Sequence, residues 1–332
     1  MGTVVRVPQT RDMIGEELSG DEAWAALRTY GGRKLLTDAF LRFRYADGFS
    51  IARALAFQFV LALVPFSIAL VGVATSLHTE SVGRVVELTL TRIAPGPSAE
   101  LIRASLGRAG EGAGSGLGSG SGSAGELAVW LGLGFATLNL ASAMAQIERG
   151  ANRIYGVERD RPFLAKYARA LVLAVAAGLP LVGGFLVLVG GKAVGSALAE
   201  TFGWGESAQD AWGLLRVPVG VVLTWLASAV LFRRAPRRDQ PGYTWLAFGS
   251  AVHLLLWVGA TWLLTLYVGF SGSFGSVYGP LTAFVALLLW SNLAGVSLFL
   301  GLSLAAQLES ARAGQHDPVH PDPGHGGDPD HV

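Results

Sequence analysis

Apolar residues run along this chain in long unbroken stretches, and the charged residues gather between them. Between Asp239 and Glu309 lie 69 residues without Asp, Glu, Lys or Arg, and His253 is the one histidine there. Shorter charge-free runs occupy 54–77, 127–147, 170–191 and 217–232. A bilayer core of about 30 Å is crossed by roughly 20 apolar residues in a helix. The 69-residue run holds two such helices, divided at the Gly/Ser-rich stretch 269–279. The run 217–232 is short, but Arg216 and Arg233 can snorkel and residues 211–215 extend it. The pattern therefore predicts an all-α, polytopic bundle with six transmembrane helices at about 52–77, 127–147, 168–191, 213–232, 243–267 and 279–306. A soluble core would not need so long a stretch free of charge.

The basic residues assign the orientation. Arg28, Arg33, Lys34, Arg42 and Arg44 precede the first span. The second connection carries Arg149, Arg153, Arg159, Arg161 and Lys166, and the fourth carries Arg233, Arg234, Arg237 and Arg238. The third, roughly 196–212, has Glu200, Glu206 and Asp210 but no Lys or Arg, and the fifth is uncharged. Even-numbered connections are basic and odd ones are not, which places both termini in the cytoplasm. The first apolar run starts near residue 51, too late for a cleavable signal peptide.

Composition sharpens the picture. Only 15% of the 332 residues are charged, against about 25% in soluble proteins. No cysteine is present, which excludes disulfides, thiolate metal sites and cysteine nucleophiles. A net charge of +1 gives no global attraction to nucleic acid, so lipid is the expected partner.

Outside the spans, residues 1–32 read as a partly disordered cytoplasmic segment, with Asp21 capping a short helix that Gly31-Gly32 stops at Tyr30. Residues 33–49 read as a basic amphipathic helix, with Leu36, Phe40 and Phe43 on one side. Arg33, Lys34, Arg42 and Arg44 then face anionic headgroups. The first connection, about 78–126, is expected to hold short amphipathic helices and a flexible Gly/Ser-rich tether at 110–125. The membrane domain spans 33–309. Residues 310–332 form a disordered tail rich in Gly, Pro, Asp and His, with His316, His320, His325 and His331. Without apolar residues to hold ligand geometry, that tail is no specific metal site, and no metal or cofactor is implied.

Polar side chains inside spans are the first candidates for function. In span two, Asn139, Ser142, Gln146, Arg149 and Arg153 share one helical face, with Glu148 and Asn152 beside it. The first three would line a solute path, while Glu148, Arg149, Asn152 and Arg153 would form its cytoplasmic mouth. Gln58 shares a face of span one with the helix-kinking Pro65. His253 in span five and Asn292 in span six complete the candidate path, and Ser303, Gln307 and Trp290 lie near Asn292 along the sixth span. Singly, such residues more often join helices by hydrogen bonds than bind a solute. Gly191-x-x-x-Gly195 in span three predicts close contact with a neighbouring helix.

Several segments together resemble the YihY/BrkB family of bacterial inner-membrane proteins, once labelled ribonuclease BN. They are Ala54-Leu55-Ala56-Phe57 with Pro65; Gln146-Ile147-Glu148-Arg149 through Asn152-Arg153-Ile154-Tyr155-Gly156; the basic stretch before Pro241-Gly242; and Tyr267, Phe274, Tyr278-Gly279, Leu289-Trp290, Gly301 and Leu308-Glu309. The resemblance covers roughly 35–309 and implies a six-helix membrane protein, with small-solute transport the usual conjecture. Members often carry an acid two residues after the glycine of span six, where this chain has Ser303.

Two classes of function follow. One is a transporter or exporter of small solutes, built on the polar face of span two, the prolines Pro65 and Pro218, and His253. The other is a non-transporting envelope scaffold or partner-binding protein that uses the outer tether and the basic loops. A homo-oligomer is compatible with either. Catalysis is not expected: Glu148, Glu158 and Asp160 lie among five basic residues, with no spaced histidines to hold a hydrolytic metal.

Overall fold

The computed structural model describes residues 3–8, 20–76, 123–157, 161–270 and 282–320. The first-connection helices, the tether up to residue 122, Glu158, Asp160, the 271–281 divide with Phe274 and Tyr278, and His325 and His331 lie outside these residues. Among the described residues the secondary structure is helical apart from one isolated antiparallel bridge, Val4 with Val319. The helices are α1 (Gly20–Tyr30), α2 (Gly32–Tyr45), α3 (Gly48–Ser76), α4 (Ser123–Ile154), α5 (Phe163–Leu173), α6 (Leu179–Phe202), α7 (Glu206–Arg234), α8 (Tyr243–Phe270) and α9 (Thr282–Arg312). Gly31, at φ 85°, turns the chain between α1 and α2 as the glycine pair predicts.

Among the described residues, four stretches are long and apolar enough to cross a membrane: Phe163–Leu181, Glu206–Arg234, Tyr243–Val268 and Phe284–Arg312. Gly48–Ala62 is a shorter apolar helix. Their outward faces carry large apolar side chains such as Leu164, Leu214, Leu255 and Trp262, all more than 60% exposed. A soluble surface rarely tolerates such a contiguous belt, whereas lipid tails solvate it.

The apolar helices close into a ring. α3 packs on α4 and α9, α9 on α8, α8 on α7, and α7 on α6, while a five-residue π-helical turn, Ala174–Gly178, joins α5 to α6 and touches α4 and α7. Small residues set the tightest crossings. Gly191 and Gly195 of α6 receive Arg216 and Trp212 of α7, and the Trp212 indole donates to the Gly191 carbonyl at 2.7 Å. This is the neighbour contact the Gly191/Gly195 spacing predicts. Gly249 of α8 and Gly301 of α9 meet even more closely: a Cβ on either would lie 2.5–2.6 Å from the other's carbonyl oxygen.

Pro65 and Pro218 do not interrupt their helices. α3 is a single helix through position 65, and α7 is a single helix through Pro218. The interruption lies in the third apolar stretch, where the π turn ends two residues before Pro180. Proline lacks the N–H for an i→i−4 bond and its ring crowds the carbonyl of residue 176. The wider turn accommodates both.

Candidate functional site

The ring surrounds a partly open cavity of about 150 Å3. Aromatic and aliphatic side chains from every side of the ring line it, among them Phe59, Met144, Leu181, Trp257, Trp290 and Leu298. The rings of Phe59 and Trp290 lie 5.9 Å apart, and those of Trp257 and Trp290 meet edge-on at 6.3 Å. The Trp290 indole donates to Thr261 Oγ1 at 3.1 Å, which fixes the ring. Polar lining comes from Thr224, His253 and Ser291, all 5% exposed or less. His253 Nδ1 lies 3.3 Å from Ser297 Oγ. The Ser291 and Thr224 hydroxyls have no hydrogen-bond partner, and that of Thr224 packs against Gly184. Among the described residues no Asp, Glu, Lys or Arg lines the space.

Of the candidates for a solute path, His253 lies on this cavity. On α4 the lining positions are Leu140, Ala143, Met144 and Ile147. Asn139, Ser142 and Gln146 sit one step round the helix, half-buried, and the Asn139 amide bonds back to the Phe135 carbonyl at 2.8 Å. Gln58 and Asn292 are half-buried neighbours of lining residues, and each keeps a buried side-chain oxygen without a partner. Gly178, in the π turn, faces the cavity where a Cβ would come within 2.7 Å of the Met144 methyl.

The four mouth residues do not act as one group. Arg149 and Arg153 are exposed, and Arg153 pairs with Asp47. Glu148 is fully buried and pairs with Arg161, whose guanidinium also points at the carbonyls of Ala235 and Pro236. Asn152 is buried and its Oδ1 accepts the Arg237 backbone N–H at 2.7 Å. These contacts fasten the end of α4 to the segment after α7.

A second buried network, which the sequence does not flag, lies at the same end of the bundle. Arg42 is fully buried rather than facing headgroups. It donates to Gln307 Oε1 at 2.8 Å, the Val5 carbonyl at 2.9 Å and the Ile154 carbonyl at 3.0 Å. Burial lowers its pKa to about 10, with the neighbouring Tyr155 and Glu309 opposing the fall, so it remains charged at neutral pH. Arg238 pairs with the buried Glu309, stacks 4.6 Å over the Tyr155 ring and donates to the Pro8 carbonyl at 2.9 Å. Tyr30 donates to Asp38 Oδ2 at 2.8 Å, and burial first, then that bond, raises its pKa to about 12.

Both chain ends are tied into this network. The Val5 N–H donates to the Pro318 carbonyl at 3.0 Å, that of His320 to Thr3 at 2.9 Å, and that of Val7 to Tyr155 at 3.2 Å. Residues 3–8 and 313–320, expected to be disordered, are therefore held. The Val5 and Pro8 carbonyls accept from Arg42 and Arg238, the His316 carbonyl accepts from Gln307 and Tyr30, and Val7 is part of the core. Gly156, at φ 68°, sits against this segment, and a Cβ there would fall 2.7 Å from Arg6 Cα. Gly156→Ala should therefore loosen the N-terminal segment, at a local cost of about 1–2 kcal/mol. Limited proteolysis should cut before residue 20 several-fold faster than in the parent protein.

The family model described as virulence factor BrkB matches residues 39–324. The chain belongs to the BrkB family. Relatives include YfkH of Bacillus subtilis (strain 168), whose name describes it as ribonuclease-like, 23% identical over 83% of this chain and 96% of that protein. A UPF0761 membrane protein of Idiomarina loihiensis is 24% identical over 57% of this chain and 64% of its own length. One from Xanthomonas campestris (strain B100) is 27% identical over 82% of this chain, and this chain spans 60% of it. No solved structure matches. This BrkB-family chain is thus a membrane protein with several apolar helices. Glu148, Asn152, Tyr155, Gly156 and Glu309, which carry the resemblance, all lie in the buried networks at one end of the bundle. Ser303 is fully buried and its hydroxyl has no partner.

Proposed function

We propose that this protein is a six-span transporter of the bacterial cytoplasmic membrane that passes small solutes through the cavity inside its helix ring. The cavity carries the reading, because a bundle that served only as a scaffold gains nothing from a cavity lined by residues of all its apolar spans. Six spans are favoured by the lengths of α3 and α4 beside the four apolar stretches. The antiparallel bridge between Val4 and Val319 supports an even number, since it requires both termini on one side. The basic connections put that side in the cytoplasm.

The solute path in this reading runs along the cavity face of α4, past Ala143 and Met144, with His253 opposite. The Asn139–Gln146 face is then a packing surface beside the path, and the reading is non-enzymatic. A metabolite-resolved efflux comparison of cells with and without the protein, at steady state and after osmotic downshift, tests it. At least one small solute should leave faster from the expressing cells. Ala143→Phe, which puts a ring into the cavity, should abolish the difference while the protein still reaches the membrane. Equal efflux of every solute in both cell types would overturn the proposal.

A further inference from the structure

The lining chemistry narrows what the site accepts, and the inference rests on the cavity reading above. We infer that the cavity binds small, uncharged, mainly apolar molecules of about one aromatic ring, carrying at most one or two hydrogen-bonding groups. Size comes first: a cavity of 150 Å3 is the volume at which a buried apolar site takes up benzene-sized molecules. Charge comes second. Moving an ion into such surroundings costs several kcal/mol unless a counter-charge meets it, and among the described residues no acidic or basic side chain lines the space.

Phe59, Trp257 and Trp290 do not make an open aromatic box for a cation either. Their centroids lie 5.9 and 6.3 Å apart, so the rings touch each other and present a continuous wall. The polar handle is Ser291, buried on the lining without a partner, with His253 on the same lining from the adjacent helix α8. In a membrane helix a serine hydroxyl usually bonds back to its own backbone, as Ser250 does to Leu246 at 3.0 Å. Ser291 does not, which leaves its hydroxyl for a ligand's hydroxyl or N–H group.

The test is equilibrium binding to the purified full-length protein in nanodiscs, with radiolabelled indole as the neutral probe. Benzoate and tetramethylammonium serve as charged probes of similar size. Indole should bind saturably above its partition into empty nanodiscs. The two ions should bind at least about tenfold more weakly. Ala143→Phe and, independently, Ala294→Phe should remove the saturable component. Saturable binding of either ion as tight as that of indole, no saturable indole binding, or indole binding unchanged in both folded variants would overturn the inference. Should one variant fail to fold, the other and the comparison among probes still decide. Saturable indole binding without any solute flux in cells would keep the inference and remove the transport reading. Flux of a charged solute without indole binding would do the reverse.

Discussion

Arg238→Leu should destabilise the protein by about 3–5 kcal/mol, because it strands the Glu309 carboxylate in the core. Glu309 is wholly buried, its Oε1 is held by Arg238 and its Oε2 has no partner. The substitution also frees the Pro8 carbonyl and uncovers the Tyr155 ring. A buried pair is weak evidence of net stabilisation, but breaking one by halves is costly. The double variant Arg238→Leu/Glu309→Leu should therefore recover much of the loss. Unfolding in mixed micelles, followed by tryptophan fluorescence, measures both. A single variant within about 0.5 kcal/mol of the parent would contradict the buried pairing.

Gly301→Val should be nearly as damaging, for a steric reason. A Cβ at Gly301 would lie 2.5 Å from the Gly249 carbonyl oxygen and 2.8 Å from His253 Cβ. Backbone and a helix-borne Cβ cannot swing aside as a flexible side-chain end can, so α8 and α9 must separate. Overpacking of this kind costs about 1–3 kcal/mol, and more where backbone is struck. Separation would also pull His253 from Ser297 and Trp257 from Trp290, opening the cavity wall. Gly183→Ala is the control, since nothing lies within 4 Å of its would-be Cβ. It should be neutral or gain up to about 1 kcal/mol from helix propensity. Unfolding of Gly301→Val at the parent's midpoint would refute the close crossing.

The helical character of the chain was legible because lipid enforces a simple rule: charges leave the apolar stretches and every backbone group bonds within its helix. The close contact at Gly191 and Gly195 was legible for a related reason, since small residues four apart mark where another helix approaches. The cavity was not. Its lining is Leu, Ala, Met, Phe and Trp, which read as ordinary lipid-facing or core residues until the ring closes. Polarity within span two pointed to Asn139, Ser142 and Gln146, yet the lining face is one residue away, at Leu140, Ala143 and Ile147. Such a shift is a turn of about 100° around the helix, and hydropathy alone does not resolve which face looks inward.

Arg42 escaped for the opposite reason. Among Arg33, Lys34 and Arg44 it looks like one more solvated charge, and its burial depends on partners 37 to 268 residues away in sequence. Pro180 was readable in principle. Gly178-Leu179-Pro180 is as strong an interruption as Pro65 or Pro218, and the structure places the π turn there.

The central claim, that solute passes through the cavity rather than along the polar face of α4, is tested most directly by flux into proteoliposomes. The comparison sets the parent protein against Ala143→Phe and against the double variant Asn139→Leu/Gln146→Leu, with folding of each verified by its unfolding midpoint. The account predicts that flux of a neutral solute such as indole derivatives retained by the vesicle is lost in Ala143→Phe and kept in the double variant. Flux that survives in Ala143→Phe and disappears when Asn139 and Gln146 are replaced would contradict it.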